Sequence, residues 1–320
     1  MMILITGSNG FLGSRIVERI QDKSLILLDR GLHNKHTIHP FFQREINSHY
    51  DYSRALQGCQ RVIHCAARVH VMDDKVEDPL ALYRDVNTYG TINLAKQAIK
   101  AGVKRFIFIS SIKVNGESSQ LGKPFTSNAP QAPQDYYGLS KSEAEVQLME
   151  LCKDSDMEVV IIRPTLVYGP GVKANFSSLM NLVSKGIPLP FGCITKNKRS
   201  LVSVDNLVDL IITCLDHPKA ANQVFLVSDD HDVSTSEIVR HMALALDKPT
   251  WQLPLPVWCY KVAGKLFNKS DVVNRLAGSL QVDITHTKET LGWTPPQSLQ
   301  EGFKQTAEAF LQSKKNNGKA

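Results

Sequence analysis

Ile3-Leu-Ile-Thr-Gly-Ser-Asn-Gly-Phe-Leu-Gly13 joins a short apolar run to three evenly spaced glycines. The run Ile3 to Thr6 reads as a buried parallel strand. Gly7, Gly10 and Gly13 follow as G-x-x-G-x-x-G, and Ser14 to Ile20 continue with helical periodicity. Strand, glycine turn and helix together are the context of a dinucleotide site. Gly7 permits the tight turn, Gly10 lets the main chain approach a pyrophosphate, and Gly13 allows close helix–strand packing. The helix N-terminus offers free N–H groups and a positive dipole end. Asn9, Phe11 and Leu12, inside the turn, are candidate cofactor contacts.

Outward from the turn, Ser24 to Leu28 form a second apolar run ending in Asp29, 22 residues after Gly7. An acidic residue there can bond both ribose hydroxyls of NAD; the plainer alternative is a strand-end turn residue. Arg30 could accept the 2′-phosphate of NADP, so NAD is favoured with NADP left open. Phe41 to Ile46 read as a third strand, with Glu45 and Ile46 at its end, where an adenine would sit. The intervening His33-Asn-Lys-His-Thr-Ile-His39 reads as a polar loop over a nucleotide edge, and no metal site is expected, since no cysteine or carboxylate stands nearby.

Arg61 to His64 make the fourth strand. The small residues Cys65, Ala66 and Ala67 follow it, where a cofactor needs room. Pro79 to Ala101 form a long amphipathic helix capped by Gly102, within which Asn87 reads as a solvated polar position. Lys104 to Ile109 is the next strand and ends in Ser110-Ser111. A helix starting near Tyr136 carries Tyr137 and Lys141. Met157 to Ile162 follow as a strand ending at Arg163-Pro164, with Pro164 placed toward the cofactor. This alternation implies an α/β fold with a doubly wound parallel sheet. Residues 1–167 are expected to bind NAD(P), with a strand returning near 223–228, and residues 168–320 mainly to form a smaller substrate-binding lobe. Val257 to Phe267 is apolar on one side and reads as a packed helix, with membrane-surface contact as the alternative.

Composition narrows the classes. The 320 residues are 42% hydrophobic and 21% charged with a net charge of +6, ordinary for a soluble globular chain. No basic stripe interleaved with aromatics suggests nucleic acid, and no apolar run is long enough for a membrane span. The six cysteines form no C-x-x-C pair, and the N-terminus lacks a charged n-region. Both features fit reduced thiols in a cytoplasmic protein.

Tyr137 and Lys141, four apart, share one helix face. A nearby ammonium favours a phenolate, and Ser111 at the adjacent strand end could orient a substrate hydroxyl. The three make a general acid/base unit beside a hydride carrier. With the glycine turn, Asp29 and Arg163-Pro164, they resemble the extended short-chain dehydrogenase/reductases. Within these, the sequence is similar to nucleotide-sugar 4-epimerases and 4-ketoreductases of the NAD-dependent epimerase/dehydratase family in bacterial surface-polysaccharide pathways. Ser110-Ser-Ile-Lys-Val-Asn-Gly116 and Tyr136-Tyr-Gly-Leu-Ser-Lys141 carry the resemblance most specifically.

The resemblance implies a Rossmann-type fold, Tyr137 as acid/base, Lys141 as ribose ligand and Ser111 as hydroxyl partner. It also implies Asn175, Arg199 and Arg275 near the diphosphate of a UDP-sugar, and a homodimer through the helices beginning near Pro79 and Tyr136. Dehydratases of this kind carry an acidic pair after the first active-site hydroxyl; Ile112-Lys113 stands here instead, which argues against dehydration. No pocket-closing aromatic matches near Leu280-Gln-Val-Asp283, which leaves room for a 2-acetamido group. C4 epimerisation of a UDP-sugar of the glucose or N-acetylglucosamine type is the leading expectation. The alternative is NAD(P)H-dependent reduction of a UDP-4-keto-6-deoxy-N-acetylhexosamine. A non-catalytic dinucleotide sensor would be expected to have lost Tyr137 or Lys141.

Overall fold

The structure, a computed structural model, describes residues 1–20, 22–32, 34–36, 38–69, 78–267 and 269–317, with only the backbone described at 174, 175, 271 and 317. The first half alternates strand and helix: β1 (Met2–Thr6), α1 (Phe11–Arg19), β2 (Ser24–Asp29), β3 (Phe41–Gln43), α2 (Ser53–Leu56), β4 (Arg61–His64), α3 (Pro79–Arg84), α4 (Thr91–Lys100), β5 (Arg105–Ile109), α5 (Tyr136–Cys152) and β6 (Glu158–Pro164). Then follow β7 (Leu166–Tyr168), α6 (Ala174–Ser184), β8 (Arg199–Ser203), α7 (Val204–Asp216), β9 (Gln223–Val227), β10 (Asp232–Val233) and α8 (Thr235–Ala245). The chain closes with α9 (Val257–Leu266), α10 (Ser270–Ala277), α11 (Thr285–Leu291) and α12 (Leu299–Asn317).

Seven strands form one sheet in the order β3-β2-β1-β4-β5-β6-β9, every pair parallel. Strand order reverses between β1 and β4, and such a reversal opens a crevice at the carboxyl ends. The sheet is apolar on both faces because helices cover both. Ile3 and Ile5 pack with Ile16 and Val17 of α1 and Leu207 and Ile211 of α7. Leu4, between them, packs on the other side with Ala95 and Ala98 of α4. Three further strands, β10-β8-β7, form a small sheet beside a third apolar cluster around Tyr168, Phe176 and Phe303.

Three expectations need correction. Strand β3 ends at Gln43 rather than Ile46. The Tyr52 hydroxyl donates to Glu45 O and accepts from Asn47 N, which draws the chain off the ladder. Glu45 is therefore exposed after the strand, while Ile46 is buried in the core. The helix from Pro79 is not uniform: residues Asp85–Gly90 form a π-helical stretch between α3 and α4. Asn87, inside it, is 0% exposed rather than solvated. Helix α9 does pack, through Val257, Tyr260 and Gly264, while its other side is exposed.

Candidate active site

The glycine turn lies where β1 hands over to α1. Gly7 has φ +67°, a left-handed conformation that favours glycine. A Cβ on Gly13 would stand 2.1 Å from Gly7 O, so helix and turn can approach this closely only with glycine there. Gly10 is the N-cap of α1; no side chain caps this end and its first turn holds no acid. Ser8 Oγ is buried with no hydrogen-bond partner among the described residues. Open N–H groups and an orphan hydroxyl suit a pyrophosphate. Asp29, at the end of β2, accepts from Asn9 N at 3.0 Å and Gly31 N at 2.8 Å, which brings both its oxygens to the rim of the turn. Lys35 Nζ donates to Asn9 O and His36 Nε2 meets Ser14 Oγ, so this loop lies over the turn. Arg30 is exposed beside it.

At the end of β4, His64 is wholly buried and its hydrogen bonds run in one direction. Ala66 N donates to Thr6 Oγ1 (3.2 Å), so the Thr6 proton points to His64 Nδ1 (2.7 Å). Thr91 Oγ1 gives its proton to Asn87 O, so it accepts from His64 Nε2 at 2.9 Å. Burial, with Lys141 nearby, holds His64 well below its usual pKa, so the ring is neutral and this tautomer is the one that fits. Asn87 then clamps the chain leaving β4: its Oδ1 accepts from Arg68 N, and its Nδ2 donates to Arg68 O and to Ser140 Oγ. Cys65, Ala66 and Ala67 are fixed between these anchors. The Cys65 thiol is pushed up to about 12 by burial, so it stays protonated.

Helix α5 begins at Asp135, which accepts from Gly138 N and pairs with Lys113. A Cβ on Gly138 would lie 2.7 Å from Lys113 O, so glycine permits this junction. The first turn of α5 sets Tyr137 beside Ser111. Burial pushes the Tyr137 phenol up to about 12, the Asp135 charge adds to the rise, and the Ser111 hydroxyl opposes it. One turn on, Lys141 is buried, with Nζ 2.9 Å from Ile109 O and 4.3 Å from the centre of the Phe108 ring. Burial brings its pKa down to about 7.

A second buried network braces this helix. Glu145 accepts from Arg163 Nη2 (2.5 Å) and Nε, from Ser110 Oγ and from Gln131 Nε2. Arg163 Nη1 reaches Asn115 Oδ1. Strand β6 and the β5 end are thereby tied to α5 behind Tyr137 and Lys141, with Pro164 buried as the next residue. Ile112 is buried and Lys113 pairs with Glu117 and Asp135, so neither replaces an acidic pair after Ser111.

Farther along, Arg199 at the start of β8 is half-buried and donates to Arg275 O (2.7 Å) and Gly278 O (3.2 Å) at the end of α10. Burial and the neighbouring Arg275 charge lower its pKa. Guanidinium groups suit phosphate oxygens, and the Arg275 and Gly278 carbonyls hold that of Arg199 in place. The Asn175 side chain lies outside the described residues. Near the sugar-pocket segment, Leu280 and Val282 are buried, and no aromatic occurs from Leu280 to Asp283.

Residues 3–228 match the NAD dependent epimerase/dehydratase family. The chain belongs to that family. It is 68% identical over 316 residues to a Vibrio cholerae protein named UDP-glucose 4-epimerase, covering 97% of this chain and 96% of that one. It is 30% identical over 333 residues to an Escherichia coli O157:H7 protein named N-acetyl-alpha-D-glucosaminyl-diphospho-ditrans,octacis-undecaprenol 4-epimerase, covering 98% and 97%. The structure of UDP-glucose 4-epimerase from Thermotoga maritima with UDP-glucose shares the fold, with TM-score 0.78 and 24% identity over 98% of this chain and 99% of that one. This family member is an NAD-dependent enzyme. His64, Asn87, Glu145 and Ser140 are residues of the site that sequence reasoning missed. A signal was present for Asn87: Thr88 and Thr91 continue its polar row along the amphipathic helix.

Proposed function

We propose that this enzyme epimerises C4 of a UDP-linked sugar of the glucose or N-acetylglucosamine type through a transient 4-keto sugar. The meeting of Tyr137 with Ser111, with Lys141 one turn further along the same helix and a glycine turn at the end of β1, carries the reading, and the Vibrio cholerae relative's name agrees with it. The Gly7–Gly13 backbone and the α1 N-terminus would hold the pyrophosphate of NAD. Asp29 would take the adenosine ribose, with Glu45, Ile46 and Arg30 beside the adenine side. Tyr137 and Lys141 would take the nicotinamide ribose, and Cys65 to Ala67 and Pro164 would line its ring. Bound there, NAD would supply the hydride acceptor and donor for C4 and, while oxidised, a positive charge.

Tyr137 takes the O4 proton as base and returns it as acid. Ser111 donates to the same oxygen and keeps it within reach. Lys141, one turn further along α5, would favour the phenolate when its ammonium comes beside the phenol. Arg199, with Arg275 and Asn175, would hold the diphosphate. The sugar can then present either face to the hydride carrier while its nucleotide stays anchored.

NMR of UDP-glucose and of UDP-N-acetylglucosamine, each incubated with the enzyme and catalytic NAD, tests this reading. The galacto epimer of either is the expected product, and which one forms names the pocket. If neither changes, while reduced cofactor is consumed with UDP-4-keto-6-deoxy-N-acetylglucosamine, the enzyme is a one-way 4-ketoreductase and the proposal fails.

A further inference from the structure

We propose that the face running from Trp251 to Lys269 lies on the surface of an anionic phospholipid bilayer. Seven large apolar side chains there meet solvent: Trp251, Leu253, Leu255, Trp258 (66% exposed), Val262, Leu266 (77%) and Phe267 (69%). At about 100° per residue, Trp258, Val262 and Leu266 form one row along α9, and Lys261 and Lys265 form the next row. The opposite side of α9 is engaged: Gly264 is buried, and a Cβ there would stand 2.7 Å from Val273 Cγ2 of α10. The two helices thus pack on each other and leave the apolar and basic rows outward. Leu253 N bonds Leu189 O and Leu253 O accepts from Gly192 N, which holds the run before α9 against the body of the protein.

The chemistry of this face fits a bilayer better than a protein. Tryptophan and leucine enter the boundary between headgroups and acyl chains, and lysine stems bury while their ammonium groups reach the phosphates. The α9 segment contains no acidic residue, and Lys269 adds a third positive charge at its end. A second copy docked by a two-fold axis would set these lysines against each other; an anionic surface satisfies both rows at once. No described helix is long and apolar enough to cross a membrane, so the contact is a surface one. This inference does not depend on which sugar is turned over.

Sedimentation with vesicles of phosphatidylcholine, with and without phosphatidylglycerol, tests the proposal on the intact enzyme. Binding is expected to the anionic vesicles, weakening with salt, together with a blue shift of tryptophan emission. Replacing Lys261, Lys265 and Lys269 by Gln should lower partitioning on the order of a hundredfold, taking roughly fivefold for each basic residue near such a surface. Trp258→Ser with Leu266→Ser should also release the protein, and both variants should keep wild-type NAD binding. Absence of wild-type binding at low salt overturns the proposal, as does binding that neither variant weakens. A wild-type dimer that Trp258→Ser dissociates on size-exclusion chromatography would make the occupant a second copy and overturn it too.

Discussion

At the carboxyl edge of the large sheet, charged and polar side chains are buried among matched partners; between Trp251 and Phe267, large apolar side chains face water. Glu145 alone accepts from Ser110, Gln131 and Arg163, and the Arg163 and Glu145 side chains are 4% and 2% exposed. Trp258 has no such surroundings. The first region is specified by hydrogen-bond direction, so the loss of one atom leaves a buried group unpaired. The second is supported by backbone packing behind it, so its side chains can change without disturbing the fold. A site that must hold reacting atoms in register needs the first kind of construction, and a surface that meets a partner of variable shape needs the second.

Substitutions can break this contrast at either end. Tyr137→Phe has the largest expected effect: removing the acid/base should lower kcat by about 10²–10⁴-fold while isothermal titration still shows NAD binding. Full activity in that variant would take Tyr137 out of the chemistry. Arg163→Gln leaves Glu145 buried without its cation and should cost about 3–5 kcal/mol in denaturant unfolding. A loss under 1 kcal/mol would mean that the network does not brace α5.

Lys141 gives the contrast a pH signature. Its folded pKa of about 7 lies below the usual lysine value of about 10.4. The unfolded chain therefore binds more protons across that window. Without cofactor, the folded state should gain stability as pH rises from about 7 toward 10, and the penalty should be fully present below 7. Thermal melts of Lys141→Met should lack this slope; parallel curves for the two proteins would place the lysine in a more solvated setting. Asp29→Ala should weaken NAD about tenfold, the scale of one charge-assisted hydrogen bond, and NADP less. Equal losses in paired titrations would remove Asp29 from the ribose. Smallest of all, Trp258→Ser should move the unfolding free energy by no more than about 0.5 kcal/mol. A clear destabilisation would show that this face is part of the folded core.

What could be read in the sequence was local. The glycine turn, the strand runs and the Tyr137–Lys141 spacing are patterns within a few residues, and the backbone folds as they indicate. The supporting residues depend on partners far away in the chain: His64 meets Thr6 at a separation of 58 residues, and Asn87 meets Arg68 at 19. Nothing adjacent to Asn87 shows that the chain leaving β4 will pass beside it. The end of β3 was misplaced for the same reason, since the Tyr52 hydroxyl that ends it comes from beyond the strand. The exposure of α9 was hidden because amphipathicity shows that a helix has an apolar side, not which side meets the protein.

The π-helical stretch Asp85–Gly90 gives the site a dependence on chain length. Such a stretch amounts to one extra residue accommodated within an α-helix. Deleting a single residue there would let the helix run regularly with α3 and α4 keeping their mutual orientation, but would close the widened turn that carries Asn87. The Asn87 side chain would be drawn away from Arg68, whose N and O it clamps. Side-chain scanning would find several modest positions in this helix, whereas a one-codon deletion would disconnect the cofactor side of the site in one step. Lineages that keep this arrangement are expected to vary here in letters but not in count.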